Sequence, residues 1–343
     1  LILTGDSFPI SASYDFWLLF CVVYAFFAST IPVWVLLQPR DYLSMYLLLI
    51  GLILGFIGLF VTNPTINGPM FISFQSSNGP LWPILFITVA CGAISGFHSL
   101  VGSGTSAKQL TRETDGRKIA FGGMITEGAL ALLVVLLMAS VLFWDKSPSV
   151  ELNGFVFGDL MKQSANITFG TALGRALNSI GIPLYIGISF GVLMLNAFIL
   201  TTLDTTVRLA RYIVQESIGT KSKIFMNRYI AAASGLLLAY FLTQGNSWKV
   251  IWPIFGASNQ LVAALALFVA TAYWFGFKRP KNYTLIPAVF MLFTTEAALI
   301  YQLLWQYIPQ NDIILSVIAF ALIVLGFIVA IEVFKKLRKP GVI

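Results

Sequence analysis

The chain has 343 residues, of which 58% are apolar or aromatic and only 10% are charged. Ordinary globular domains are about 45–50% apolar and about 25% charged, so a soluble enzyme, a disordered chain and a fibrous repeat are excluded. The net charge of +7 would suit a nucleic-acid partner, but its distribution, described below, favours a membrane surface and no nucleic acid. Two cysteines, Cys21 and Cys91, are too few for a disulfide framework or a cysteine metal cluster.

Nine apolar stretches are long enough to cross the bilayer as helices, which takes about 20 residues each. Only helices suit these stretches, because backbone groups in lipid must be satisfied within the segment and no alternating barrel pattern is present. The composition therefore predicts an all-α integral membrane protein in contact with lipid. The predicted spans are roughly 16–37, 42–61, 81–103, 119–144, 183–203, 227–243, 251–275, 285–307 and 312–334.

The basic residues predict the orientation of these spans, because cytoplasmic loops carry an excess of Lys and Arg. Seventeen of the 21 Lys and Arg residues lie in the loops after odd-numbered spans or in the C-terminal tail. The other four lie on the opposite side, namely Lys146, Lys162, Arg175 and Lys249. We therefore expect the C-terminus in the cytoplasm and residue 1 outside.

The segments between the spans are short, so residues 1–343 are predicted to form a single transmembrane domain without a soluble catalytic part. We expect an external loop or partly re-entrant hairpin at 62–80 and a mixed-charge cytoplasmic loop at 104–118. Residues 145–182 are predicted to be an external loop with an amphipathic helix around 155–178, and 335–343 a cytoplasmic tail. The chain begins at Leu1 without an initiator Met or a signal peptide, which favours a fragment whose preceding helices are absent.

The third predicted span is unusually polar, since the run GAISGFHSL at 92–100 continues into further Gly and Ser residues. Each Gly weakens a helix by roughly 1 kcal/mol relative to Ala, so an interrupted helix is expected here. Interrupted helices form substrate sites in secondary transporters. The candidate substrate-binding residues are Ser95, Gly96, His98, Ser99, Ser103, Gly104 and Thr105. The alternative is that Gly92 and Gly96 form a GxxxG helix-packing pair.

His98 is the only histidine, and an intramembrane His is a candidate for proton coupling. The alternative is a structural His bonded to a nearby carbonyl. An intramembrane serine hydrolase using Ser95 and His98 is disfavoured, because the base would lie on the nucleophile's own helix with no orienting third group.

Two carboxylates are predicted inside the bilayer, Glu127 about 12 Å and Glu296 about 16 Å along their helices. A carboxylate at that depth must be paired, protonated or hydrated, so each is a proton-relay candidate. Alternatively, Glu296 is a neutral side chain that bonds to Thr294 or Thr295. For Glu127, the alternative to a proton relay is an ion pair with a basic loop residue.

The seventh span carries Asn259 and Gln260 inside the membrane, where their amides would bind a substrate or hold neighbouring helices together. At the end of the fifth span, Arg208 follows Asp204 by four residues, a spacing that favours a structural ion pair along the helix.

Several of these runs together resemble the carbon starvation protein A family. They are VWVLLQPRDYL at 33–43, GAISGFHSL at 92–100, SGT at 103–105, KQL at 108–110, TTLDT at 201–205 and FGASNQL at 255–261. The runs come in the family's order and span most of the chain.

The resemblance implies a bacterial inner-membrane secondary transporter of the amino acid–polyamine–organocation superfamily, with the LeuT-type inverted-repeat helical bundle. It implies uptake of small peptides or pyruvate during nutrient shortage, with H⁺ as the coupling ion and no cofactor. Residues 95–105 would correspond to the broken first helix of the second repeat. The matching broken helix of the first repeat would then belong to helices of the same protein that precede residue 1.

Two other functions compete with a transporter. A transporter-like nutrient sensor would signal through a soluble domain, which the short tail at 335–343 does not supply. An intramembrane enzyme is disfavoured by the single His and by the lack of metal or nucleotide motifs.

Overall fold

The computed structural model describes residues 12–76, 78–89, 92, 94–144, 154–243, 248–276 and 282–338. In chain order its α-helices are α1 (Tyr14–Thr30), α2 (Leu37–Thr62), α3 (Phe86–Thr88), α4 (Gly96–Val101), α5 (Glu113–Leu136), α6 (Phe157–Gln163), α7 (Ala165–Asn178), α8 (Leu184–Ser217), α9 (Arg228–Thr243), α10 (Trp248–Gly276), α11 (Asn282–Gln302) and α12 (Ile313–Arg338). Tighter or wider helical turns lie at Leu81–Leu85, Gly102–Ser106, Ala107–Gln109, Leu137–Val141, Lys223–Met226 and Leu303–Tyr307. Two short antiparallel strands, β1 (Gln75–Ser76) and β2 (Gly79–Pro80), form a hairpin.

Among the residues that the structure describes, six helices are long and apolar enough to cross a membrane, which makes the chain an all-α, multi-pass membrane protein. They are Leu37–Thr62, Glu113–Val141, Leu184–Ser217, Ile251–Trp274, Asn282–Tyr307 and Ile313–Val333. The predicted spans at 16–37 and 227–243 contain shorter apolar helices, α1 and α9. The remaining predicted span, 81–103, is the interrupted segment described below.

Two span boundaries differ most from the prediction. Helix α1 ends at Thr30 instead of residue 37, because Pro32 restricts Ile31 to an extended conformation (φ −72°, ψ 147°). Helix α8 continues to Ser217 instead of ending at 203, because its polar continuation, including Asp204 and Arg208, is buried within the protein.

The described residues form two compact units. The described residues within 1–72 and 111–241 form the first unit, and those within 73–110 and 242–343 form the second. The core of the first unit is built around Leu133, Leu137 and Leu173, which are fully buried. The core of the second is built from Ile87, Ala257 and Leu299 together with residues of α12.

In the first unit, α7 and α8 cross at two pairs of glycines. A Cβ atom at Gly187 would lie 2.8 Å from the Cα of Gly174, and one at Gly191 would lie 2.8 Å from the Cα of Gly170. The GxxxG pair of α8 therefore packs within the chain, where it lets two helix backbones touch.

The predicted ion pair between Asp204 and Arg208 is wrong. Asp204 instead accepts hydrogen bonds from Arg40 and from the hydroxyl of Tyr24, the latter at 2.9 Å. Arg208 donates to the carbonyl oxygens of Ala28 (2.7 Å) and Ile31 (2.8 Å). The reason is that α1 ends here and leaves carbonyls without helical partners, which a buried guanidinium can satisfy.

The predicted connecting segments contain more regular structure than loops. The 62–80 segment ends in the β1–β2 hairpin, and the 104–118 segment consists largely of helical turns and the start of α5. In the 145–182 segment, α6 and α7 are helical, and most of α7 is buried in the first unit. Residues 145–153 of that segment and 339–343 of the tail lie outside the described residues.

Candidate functional site

The predicted interruption of the third span is present in the structure. Helix α3 ends at Thr88, and the next residue, Val89, has φ −90° and ψ 2°. Helix α4 begins only at Gly96, after Ser95 in an extended conformation (φ −115°, ψ 123°). Helical groups near this break lose their usual partners, so they need partners from elsewhere in the protein.

Asn259 of α10 binds the beginning of the second half-helix, α4. Its side-chain oxygen accepts a hydrogen bond from the backbone N–H of Phe97 at 2.7 Å and one from the hydroxyl of Ser95 at 3.3 Å. The Ser95 hydroxyl in turn accepts from the backbone N–H of His98 at 3.3 Å, as an N-cap serine does. Asn259 and Ser95 thus satisfy the first N–H groups of α4.

Gln260, the next residue of α10, binds the first half-helix. Its Nε2 donates to the carbonyl oxygen of Phe86 at 2.8 Å, and its Oε1 accepts from the hydroxyl of Thr295 at 3.2 Å. Two adjacent amides therefore hold the two sides of the interruption. We call this pair the Asn259–Gln260 clamp. The sequence left open whether these amides bind a substrate or hold neighbouring helices together. In the structure, both amides bond to other helices.

Two glycines bring the interrupted segment into backbone contact with α10. A Cβ at Gly96 would lie 2.6 Å from the backbone nitrogen of Ala263, and one at Gly256 would lie 2.8 Å from the carbonyl oxygen of Ile87. Around Gly92, by contrast, a Cβ would have open space. Gly96 is thus a packing residue, and Gly256 is a positioning residue that sequence reasoning missed although it lies within the FGASNQL run.

The other predicted residues of the third span have varied surroundings. His98 and Ser103 are exposed, whereas Gly104 is half-buried. The Ser99 hydroxyl donates to the carbonyl of Gly96 at 2.6 Å, and the Ser103 hydroxyl to that of Ser99 at 2.9 Å. The Thr105 hydroxyl is buried and has no hydrogen-bond partner among the described residues.

Glu296 lies on α11 in the second unit and is only 7% exposed. Both of its carboxylate oxygens are buried without a hydrogen-bond partner in the described part of the chain. Gly326 of α12 lies directly against the carboxylate. Thr295, expected as a donor to Glu296, bonds instead to Gln260 and to the carbonyl of Met291. Glu127, the other predicted carboxylate, lies half-buried on α5 in the first unit.

Beside the clamp, the second unit contains a cavity of about 500 Å³ that sequence analysis did not predict. Its lining includes Asn259, Trp252, Gln302, Trp305 and Tyr307, and we call it the Gln302 cavity. Further lining residues, among them Gln75 and Asn78, come from the other segment of the second unit. In the sequence, the one signal for this cavity is the set of glutamines and tryptophans near the ends of the seventh and eighth predicted spans.

Comparison with known proteins agrees with the sequence resemblance. The family described as Carbon starvation protein CstA matches residues 3–167 and 158–298. The Peptide transporter CstA of Bacillus subtilis is 32% identical over 92% of this chain and 59% of its own length.

Two proteins of Escherichia coli are also 32% identical. The Pyruvate/proton symporter BtsT matches over 80% of this chain and 49% of its own length, and the Peptide transporter CstA over 82% and 48%. The chain thus spans about half to three-fifths of the length of these relatives. No solved structure matches it at a significant level. With the family match covering most of its residues, the chain belongs to the carbon starvation protein CstA family.

Proposed function

We propose that this chain is part of a proton-coupled secondary transporter that imports small peptides or pyruvate across the bacterial inner membrane. The observation that carries the proposal is the interrupted helix held on both sides by the Asn259–Gln260 clamp. Discontinuous helices at membrane depth are characteristic of substrate sites in secondary transporters. The names of the relatives, which are a peptide transporter and a pyruvate/proton symporter, supply the two solute classes.

The predicted site residues divide into two roles in this proposal. Ser95, Asn259 and Gln260 position the two halves of the broken helix, because their polar atoms already bond to its backbone. His98, Ser103 and Thr105 are the candidates for solute contact, with Ser99 and Gly104 beside them. The proposed transport cycle exposes this segment alternately to the two sides of a LeuT-type bundle, with the C-terminus in the cytoplasm and residue 1 outside.

Glu296 is the leading candidate for the coupling proton, followed by His98 and Glu127. A buried carboxylate without a partner is costly when ionised, so a bound proton would stabilise it. Because the carboxyl group contacts Gly326, a change in its protonation would alter its packing against α12. Proton binding at Glu296 would thereby be linked to the packing of α11 against α12.

Transport by the full-length protein in proteoliposomes tests the proposal. An inward proton gradient should drive accumulation of a labelled dipeptide or of pyruvate, and His98→Ala should impair it. Ser258→Ala is a suitable control, because among the described residues the Ser258 hydroxyl bonds only to the carbonyl of Ile254 in its own helix, at 2.8 Å. Uptake that is indifferent to the gradient and to His98 would contradict the proposal.

A further inference from the structure

The Gln302 cavity is lined by amides and aromatic rings, and none of its described lining residues is acidic or basic. Six of the lining side chains carry amide groups, namely Gln75, Asn78, Asn259, Gln302, Gln306 and Gln310. Ligand pockets of about 300–1,000 Å³ commonly combine apolar and aromatic walls with a few polar groups that orient the ligand. At about 500 Å³ the cavity has the size and the composition of such a pocket.

Two of the lining residues have unused hydrogen-bonding groups. Gln302 has no exposed surface, and neither its Nε2 nor its Oε1 has a partner among the described residues. The hydroxyl of Tyr307, a residue that is 4% exposed, also lacks a partner there. Buried polar groups in proteins are nearly always hydrogen-bonded. An amide and a phenol without partners, both belonging to residues that line one cavity, therefore point to a ligand as their partner.

Gln302 directly precedes the wide helical turn Leu303–Tyr307, and Tyr307 is its last residue. Such π-type turns occur frequently at functional sites, because the extra residue redirects side chains out of the regular helical register. Nearby, Gln306 donates to the carbonyl of Asn78 at 2.6 Å and so holds the β1–β2 hairpin at the cavity.

We propose that the Gln302 cavity binds an uncharged amide group of a small solute, with Gln302 as the principal contact and Tyr307 as a second. A glutamine amide offers one donor group and one acceptor, which is the complement of another amide. A carboxylate such as pyruvate would be buried here without a cationic partner, which is unfavourable. The inference rests on the proposed function, because it takes the solute bound in the cavity to be the transported one. Of the two proposed solute classes, it favours small peptides over pyruvate.

Binding of N-acetylalaninamide, an uncharged solute with two amides, tests the inference. Equilibrium dialysis of the full-length protein in detergent gives the dissociation constant for the wild type and for Gln302→Leu. We expect the leucine variant to bind about tenfold more weakly, the effect of losing one or two hydrogen bonds to a buried amide. The matched control is Gln215→Leu, since Gln215 lies in the other unit and bonds to the carbonyl of Met226. Pyruvate should not compete with the amide.

The stability of the variant separates a binding role from a structural one. An amide without partners contributes no hydrogen bond to the fold, so Gln302→Leu should melt at or above the wild-type temperature while its binding falls. If Gln302→Leu melts at a lower temperature than the wild type, its loss of binding could be structural. The binding affinity of Tyr307→Phe then tests the inference, because this substitution removes only the hydroxyl. Weaker binding in that variant supports the inference, and wild-type binding overturns it. Absence of N-acetylalaninamide binding by the wild type also overturns it.

Uptake in proteoliposomes distinguishes this inference from the proposed function. Gradient-driven uptake combined with unchanged amide binding in Gln302→Leu would overturn the inference and leave transport standing. Amide binding that depends on Gln302, in a protein without gradient-driven uptake, would sustain the site and contradict the transport proposal.

Discussion

The side-chain oxygen of Asn259 lies 2.7 Å from the backbone nitrogen of Phe97, although 162 residues separate them in the chain. One amide from an intact helix therefore takes the place of the backbone carbonyl that a continuous helix would have supplied. With Gln260 bonded to the carbonyl of Phe86, side-chain amides of α10 pair with backbone groups on both sides of the interruption.

Replacing Asn259 by Leu should destabilise the protein by about 1–3 kcal/mol, because it leaves a buried N–H without its acceptor. The melting temperature of the purified protein in detergent measures this effect. Ser258→Ala, one residue away, should melt like the wild type, because the bond that its hydroxyl makes in the described part of the chain, to Ile254, stays within its own helix. Equal melting temperatures for Asn259→Leu and Ser258→Ala would contradict the capping role.

Gly96→Ala should lower stability by about 1–3 kcal/mol, because the added methyl group would clash with the backbone of α10. Gly92→Ala is the matched control in the same segment, since a Cβ there meets nothing within 4 Å. Thermal unfolding of the two variants side by side is the measurement. Should both variants unfold alike, the close contact between Gly96 and α10 would be refuted.

Glu296→Gln should abolish most proton-driven uptake without reducing stability. The substitution keeps the shape of the side chain and removes the cost of a buried, unpaired charge. We expect uptake under an inward proton gradient to fall about tenfold or more, as for loss of an essential proton-binding group, with an unchanged or higher melting temperature.

The control for Glu296→Gln is Glu332→Gln on the neighbouring helix. Glu332 is exposed and bonds to Lys335 at 3.4 Å, so its substitution should alter neither uptake nor melting. Full gradient-driven uptake by Glu296→Gln would exclude Glu296 as the coupling group.

A double-mutant cycle should show strong coupling between Arg40 and Asp204 and weak coupling between Arg208 and Asp204. Arg40 bonds to the fully buried Asp204, whereas Arg208 bonds to carbonyls at the end of α1. For contacting residues the coupling energy is about 0.5–3 kcal/mol. Unfolding free energies of Arg40→Gln, Asp204→Asn and the double variant give the first value, and Arg208→Gln in place of Arg40→Gln gives the second. A larger value for Arg208 would favour the ion pair along the helix.

The sequence by itself determined that this is a helical membrane protein, where its long spans lie, and that the third span is interrupted. These properties depend on local composition. A run of apolar residues makes a span because lipid cannot bond to an open backbone, and the glycines and serines around Ser95 weaken a helix wherever the segment lies in space. The family was also recognisable from the sequence, because its short motifs keep their order along the chain.

Only the tertiary structure decided which partner each buried polar group has. Asp204 pairs with Arg40, 164 residues away, although Arg208 is one helical turn from it. Asn259 and Gln260 bond to the broken helix, and Gly256 contacts the carbonyl of Ile87. Gln302 has no partner among the described residues and lines a cavity formed by both segments of the second unit. Packing brings these distant residues together, and the spacing of residues along one helix carries no information about which other helix will lie against it.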